Sequence, residues 1–236
     1  MTAPTIPGAE AFSHNGNGDV GVLVLHGFTG NPGSMRGLAE ACAAAGFHVE
    51  LPQLAGHGTA IEDMIPTRWA DWSADAEKAY QVLSKRAKKI VVMGLSMGGA
   101  LTLWMAAQHP EACGIVCINP ATQPQPQEVI DMLQGMIDGG TVTMDGIGSD
   151  IDPSFNVVVP ITNHPAMFKQ RFVPERRNNF AQCTLQQQSL RMRLVILGTN
   201  NGDEHVRNAK RFYCDKCLRF RFSGHDRQVV VIVKNL

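Results

Sequence analysis

Short apolar runs alternating with helix-period segments constrain this chain more than any other feature. Val20–Leu25 (VGVLVL), Lys89–Met93 (KIVVM) and Gly114–Ile118 (GIVCI) are short enough and apolar enough to be strands buried on both faces. Phe47–Leu51 reads as a further strand. Between them lie helical patterns. Ser34–Ala45 brings Met35, Leu38, Cys42 and Ala45 into phase, and Gly46 can end the helix. Thr67 can cap a helix running to about Arg86, with Trp69, Trp72, Ala76, Ala79 and Leu83 on one side. Met97–Gln108 turns Leu101, Trp104 and Met105 inward, and Pro110 closes it. Strands alternating with helices predict an α/β fold, with a mostly parallel central sheet flanked by helices and right-handed crossovers. At 236 residues the chain suits one such domain, 1–236, carrying a small insertion.

The pattern changes over about residues 120–190. Gln and Pro are dense at 122–127, Glu128–Ile137 reads as one amphipathic helix, and little periodicity follows. A weakly patterned insertion after a core strand is a cap over a site or a long loop. Leu194–Leu197 and Val229–Val233 resume the strand pattern.

Hydrophobic residues make up 44% and charged residues 18%, which supports a folded core rather than disorder. Net charge is +0, but unevenly spread. Residues 1–167 hold 7 Lys/Arg against 16 Asp/Glu, while residues 168–236 hold 14 against 5. A basic segment can serve nucleic acid or an acidic membrane. No recognised binding motif accompanies it, so a solvated basic face is the reading and no nucleic-acid partner is expected. The N-terminus lacks a basic start with an apolar run, and no stretch reaches the roughly 18 apolar residues of a membrane span. Six scattered cysteines (Cys42, Cys113, Cys117, Cys183, Cys214 and Cys217) then imply reduced thiols in a cytoplasm. Cys214 and Cys217 have CxxC spacing, but no second pair completes a zinc site, so no metal is expected.

Gly94-Leu95-Ser96-Met97-Gly98 fits G-x-S-x-G between a predicted strand and a predicted helix, which makes Ser96 the candidate nucleophile. Small residues permit a sharp turn that lifts the hydroxyl from the sheet edge, and the helix directs its positive end there. His26-Gly27-Phe28-Thr29-Gly30 follows the first buried strand. Acyl transfer builds charge on a carbonyl oxygen, and two backbone N–H groups, from Phe28 and Met97, are the expected oxyanion donors. His26 and His57 read as loop architecture, and Trp69, Trp72 and Trp104 as core.

These residues resemble the small bacterial carboxylesterase and monoacylglycerol lipase group of the α/β-hydrolases. The resemblance rests on HGFTGNPGSMRGLAEACAAAGFHVELPQLAGHGT (26–59), TRWADW (67–72), VVMGLSMGGALTLWMAAQHP (91–110) and GIVCINPAT (114–122), about half of the chain. It implies hydrolysis of short- to medium-chain carboxylic esters as small-molecule substrates, a cap after the strand at 114–118, and no cofactor. It also implies an acid and then a histidine following the serine. The acid lies after a strand, where LVILGTNNGDEHV (194–206) offers Asp203, with Glu204 adjacent. The histidine matches His225 in Ser223-Gly224-His225, which would take the Ser96 proton and return it to the leaving alcohol. His205 and His164 are its rivals.

The likeness thins over residues 152–192. Asp203 and His225 are only 22 residues apart, and the 11 residues after His225 do not read as an amphipathic closing helix. Rapid divergence or an altered reading frame would each leave this trace. Beside ester hydrolysis stand two other readings, a hydrolase-like binding protein with little turnover and a nucleic-acid or membrane partner of the basic tail. Oligomeric state is not legible.

Overall fold

The computed structural model describes residues 3–121, 125–145, 158–160, 193–197 and 229–233. Among these, nine strands and five helices follow one another: β1 (Phe12–His14), β2 (Val20–Leu25), α1 (Pro32–Ala44), β3 (His48–Leu51), α2 (Ile61–Met64), α3 (Trp69–Ser84), β4 (Lys89–Leu95), α4 (Met97–Gln108), β5 (Gly114–Ile118), α5 (Gln127–Asp138), β6 (Thr143–Asp145), β7 (Val158–Pro160), β8 (Arg193–Leu197) and β9 (Val229–Val233). The main sheet runs β1-β3-β2-β4-β5-β9-β8, and β6 pairs with β7 in a separate antiparallel ribbon.

The four central strands β3, β2, β4 and β5 are mutually parallel, as the alternating pattern predicts. β1 and β9 run antiparallel to their neighbours, so the sheet is mixed at its margins. Strand alternation sorts the core. Val22, Val24, Val49, Met93 and Val116 face α1, packing on Met35, Ala39 and Cys42. Leu23, Leu25, Val92, Ile115 and Cys117 face the other way, onto Trp72, Ala76 and Leu83 of α3 and Leu101 and Met105 of α4. Each fully buried valine or leucine contributes about 1.5–3 kcal/mol from apolar transfer, so both faces of β2 anchor the sheet, through Val22 and Val24 on one side and Leu23 and Leu25 on the other.

Local signals set both ends of α1 and the start of α3. Asn31 caps α1 by accepting the Gly33 N–H at 2.8 Å, Pro32 occupies the first turn, and Gly46 leaves it at φ 88°. The predicted Thr67 cap is corrected. Arg68 is the N-cap of α3, and its backbone N–H is taken by the Asp71 carboxylate at 2.8 Å. The Thr67 hydroxyl instead donates to the Met64 carbonyl at 2.7 Å, closing the short α2 before α3 begins. Trp72 is core, as expected, while Trp69 and Trp104 lie half-buried against the same cluster. Among the described residues no helix is long and apolar enough to cross a membrane.

Candidate active site

A single residue, Ser96, joins β4 to α4. Turning a strand into a helix over one position forces the backbone out of its common regions, and Ser96 sits at φ 54°, ψ −115°. For a residue with a side chain this costs about 1–3 kcal/mol and persists only where the surroundings enforce it. They do so here. The Ser96 N–H donates to the Ile118 carbonyl at 2.9 Å, and the Ser96 carbonyl accepts from Ala100 at 3.1 Å and Ala121 at 3.0 Å. Gly94 is required by the same turn, since a Cβ there would lie 2.1 Å from the Gly98 carbonyl oxygen. Thr29 (φ 57°) and Asn119 (φ 42°) are also left-handed, each on a loop that follows a strand flanking β4. Backbone strain is thus gathered at the ends of β2, β4 and β5.

Ser96 heads α4. The first bond of that helix runs from the Ala100 N–H, so the Met97, Gly98 and Gly99 N–H groups lack an acceptor within the helix. The helix dipole adds positive potential at this end. The loop after β2 passes over the serine, and a Cβ at Gly27 would stand 3.4 Å from Ser96 Cβ and 4.0 Å from its Oγ. Phe28 follows directly, its ring packed on Trp72 (centroids 5.7 Å) and His57 (6.2 Å).

Two buried histidines hold this loop. His26 Nε2 accepts the Leu54 N–H at 3.2 Å, which leaves the proton on Nδ1 to donate to the Gly27 carbonyl at 3.0 Å. Burial, with His57 nearby, drives the His26 pKa down to about 3. His57 Nδ1 donates to the Ala55 carbonyl at 2.9 Å, and burial lowers its pKa to about 4. Both rings are neutral near pH 7 and committed to backbone, in line with their reading as loop architecture. Asp75, which the sequence did not single out, accepts the Ala55 N–H at 2.7 Å, and burial raises its pKa. Its one sequence signal is a carboxylate between Trp72 and Ala76 on the inward side of α3.

Ser96, Met97 and Phe28 therefore lie on adjoining segments, the β4–α4 elbow and the loop after β2. Asp203, His225, His205, His164, Cys183, Cys214 and Cys217 lie outside the described residues. Cys42, Cys113 and Cys117 are free and buried, and burial pushes the Cys117 thiol up to about 12. Among the described residues no group of three or more His, Cys, Asp or Glu could hold a metal ion.

A family model described as "Serine aminopeptidase, S33" matches residues 18–208. The chain belongs to this family. As a member, it is 51% identical over 150 residues to a thermostable monoacylglycerol lipase of Bacillus sp. (strain H-257), covering 63% of this chain and 58% of that protein. It is 35% identical over 121 residues to a carboxylesterase of Bacillus subtilis (strain 168), covering 51% and 48%. The chain thus spans about half the length of these relatives. A solved structure from work on the metagenome-derived lipolytic enzymes LipS and LipT superposes with TM-score 0.61 at 40% identity, over 68% of this chain and 66% of that one. A monoglyceride lipase of Saccharomyces cerevisiae shares the fold, with TM-score 0.52 at 19% identity over 71% and 69%. The chain has the α/β-hydrolase fold that the resemblance implied, within the α/β class anticipated from the strand pattern.

Proposed function

We propose that this protein is a serine hydrolase of short- to medium-chain carboxylic esters, monoacylglycerols among them. The observation that carries the reading is the strained Ser96 elbow at the head of α4, with the Gly27–Phe28 loop against it. The 51% identity to a monoacylglycerol lipase supports the substrate class.

In this reading Ser96 Oγ attacks the ester carbonyl while His225 takes its proton. Asp203 fixes the histidine tautomer and stabilises the imidazolium. The N–H groups of Phe28 and Met97 hold the oxyanion. Collapse expels the alcohol, protonated by His225, and leaves an acyl-enzyme on Ser96. Water, deprotonated by the same histidine, then releases the acid and restores the serine. Residues 120–190 act as a cap that shapes the acyl pocket, the protein works in the cytoplasm, and the chemistry needs neither cofactor nor metal.

The test is labelling with a fluorophosphonate together with turnover of a p-nitrophenyl ester series and of monoacylglycerols. Wild type should label and turn over, and Ser96→Ala should do neither. Equal labelling of both proteins would refute the assignment, and ester binding without turnover would favour a hydrolase-like binder.

A further inference from the structure

We propose that Asp75 and Trp72 are positioning residues for the Phe28 oxyanion donor, acting through Ala55 and His26; this rests on the ester-hydrolase reading of Ser96. The two side chains lie three positions apart on α3 and so share a face. Asp75 Oδ2 accepts the Ala55 N–H at 2.7 Å, and Trp72 Nε1 donates to the Ala55 carbonyl at 3.1 Å. They thereby fix the two peptide groups on either side of the Ala55 Cα. A carboxylate accepting a backbone N–H is among the stronger bonds a loop can have. The turn closes on itself, with the His57 N–H on the Leu54 carbonyl at 3.0 Å.

From this clamped turn the Leu54 N–H points at His26 Nε2, 3.2 Å away. That bond selects the tautomer in which Nδ1–H donates to the Gly27 carbonyl, 3.0 Å away. The Gly27 carbonyl and the Phe28 N–H belong to one planar peptide and point in opposite directions. Holding the oxygen therefore aims the N–H. A second bond, from the Gly30 N–H to the Gly27 carbonyl at 3.1 Å, stiffens the same peptide. Ring contacts run in parallel: Trp72 and His57 both pack on Phe28, and His57 packs on His26 at 5.0 Å. The chain of bonds thus runs from helix α3, through the 54–57 turn, to the peptide beside Ser96.

The test uses the full chain and p-nitrophenyl butyrate, with kcat referred to Ser96 titrated by fluorophosphonate. Asp75→Ala should lower kcat per titrated site about 10-fold, a fraction of the loss from deleting an oxyanion donor outright, with KM changed less than about twofold. Asp75→Asn keeps an oxygen acceptor for the Ala55 N–H and should recover to within about threefold of wild type. Trp72→Phe keeps an aromatic ring, though a smaller one, loses the N–H, and should cost kcat about threefold. Glu77→Gln, on the same helix but away from Ala55, should lower Tm and leave kcat per site alone. If Asp75→Ala does not fold, the kcat of Trp72→Phe decides. If Asp75→Ala and Trp72→Phe lower Tm while kcat per site stays at the wild-type value, the positioning role is overturned and the esterase reading stands. A wild-type protein that neither labels nor turns over overturns both.

Discussion

A Cβ built on Gly98 would lie 2.2 Å from the carbonyl oxygen of Leu25. It would also lie 2.5 Å from the His26 carbonyl oxygen, so α4 packs backbone to backbone against the end of β2. Neither oxygen can yield as a flexible side chain can. Gly98→Ala must push α4 off β2, and with it the Met97 N–H away from the Gly27–Phe28 loop. Overpacking of this kind costs about 1–3 kcal/mol. Tm should fall by roughly 3–10 °C for a chain of this size, and fluorophosphonate labelling of the folded fraction should slow at least about 10-fold. Calorimetry and a labelling time course check this. An unchanged labelling rate would mean that the close approach does not align the site.

The two buried histidines make the fold acid-sensitive in a defined window. In the unfolded chain each takes a proton near pH 6.5, but in the fold His26 does so only at about 3 and His57 at about 4. Below 6.5 the unfolded state therefore binds more protons, and stability falls as pH drops toward 4. Each ring contributes a loss of roughly 2 kcal/mol at pH 5. His57→Asn retains a donor for the Ala55 carbonyl and removes one titration, so its stability should change less between pH 7 and pH 5. Urea melts at the two pH values measure this, and equal slopes for both proteins would count against it.

The legible parts of the fold are those where burial leaves a mark on side-chain type. VGVLVL, KIVVM and GIVCI are apolar because both sheet faces are covered, and Gly94 and Gly98 betray the elbow because nothing larger fits. β1 and α2 went unread because FSH and IEDM are too short to show a period. Thr67 misled because a hydroxyl before a helix serves equally to close the preceding turn. Asp75 was invisible for a deeper reason. Its partner is the backbone N–H of Ala55, 20 positions away, and a backbone group leaves no trace in sequence.

His109 supplies an opposite pH signature. Its Nε2 meets Glu77 at 2.7 Å, its Nδ1 meets Glu111 at 2.8 Å, and its ring stacks on Tyr80 at 3.9 Å. Burial works against the charged ring, but the bonds to Glu77 and Glu111 outweigh it and raise the pKa. Burial pulls both carboxylates up, but hydrogen bonds lower them: from His109 and Gln81 for Glu77, and from its own backbone N–H, His109 and Tyr80 for Glu111. The histidine's contribution is complete below 6.5 and lost as pH rises through its raised value. The carboxylates' contribution is complete above 4.5 and lost as pH falls through their lowered values. His109→Gln should therefore cost most between about pH 4.5 and 6.5. Solvent screening keeps this to about 0.5–1 kcal/mol, or roughly 1–4 °C in Tm at pH 6, with a smaller loss at pH 9. A loss of Tm independent of pH would show that stacking on Tyr80, rather than charge, is what the ring provides.

The described histidines leave the base of the proposed reaction to be supplied from elsewhere in the chain. His26 and His57, the pair beside the Gly27–Phe28 loop, are neutral, buried and bonded to backbone. His48 is bonded to the Gly18 carbonyl, His109 is held between two carboxylates, and His14 lies on the edge strand β1, with β3 and β2 between it and β4. A serine on the elbow without a base would attack esters slowly. The S-G-H match therefore makes a sharp prediction. His225→Ala should lower kcat at least about ten-thousand-fold and leave Tm within about 2 °C of wild type. Asp203→Asn, which keeps shape but cannot hold the tautomer, should cost a similar factor. His205→Ala and His164→Ala should stay within about threefold of wild type. Steady-state kinetics on p-nitrophenyl butyrate decide among them. If His205→Ala or His164→Ala is the inactive variant and His225→Ala is not, the base is misassigned while the Ser96 nucleophile stands.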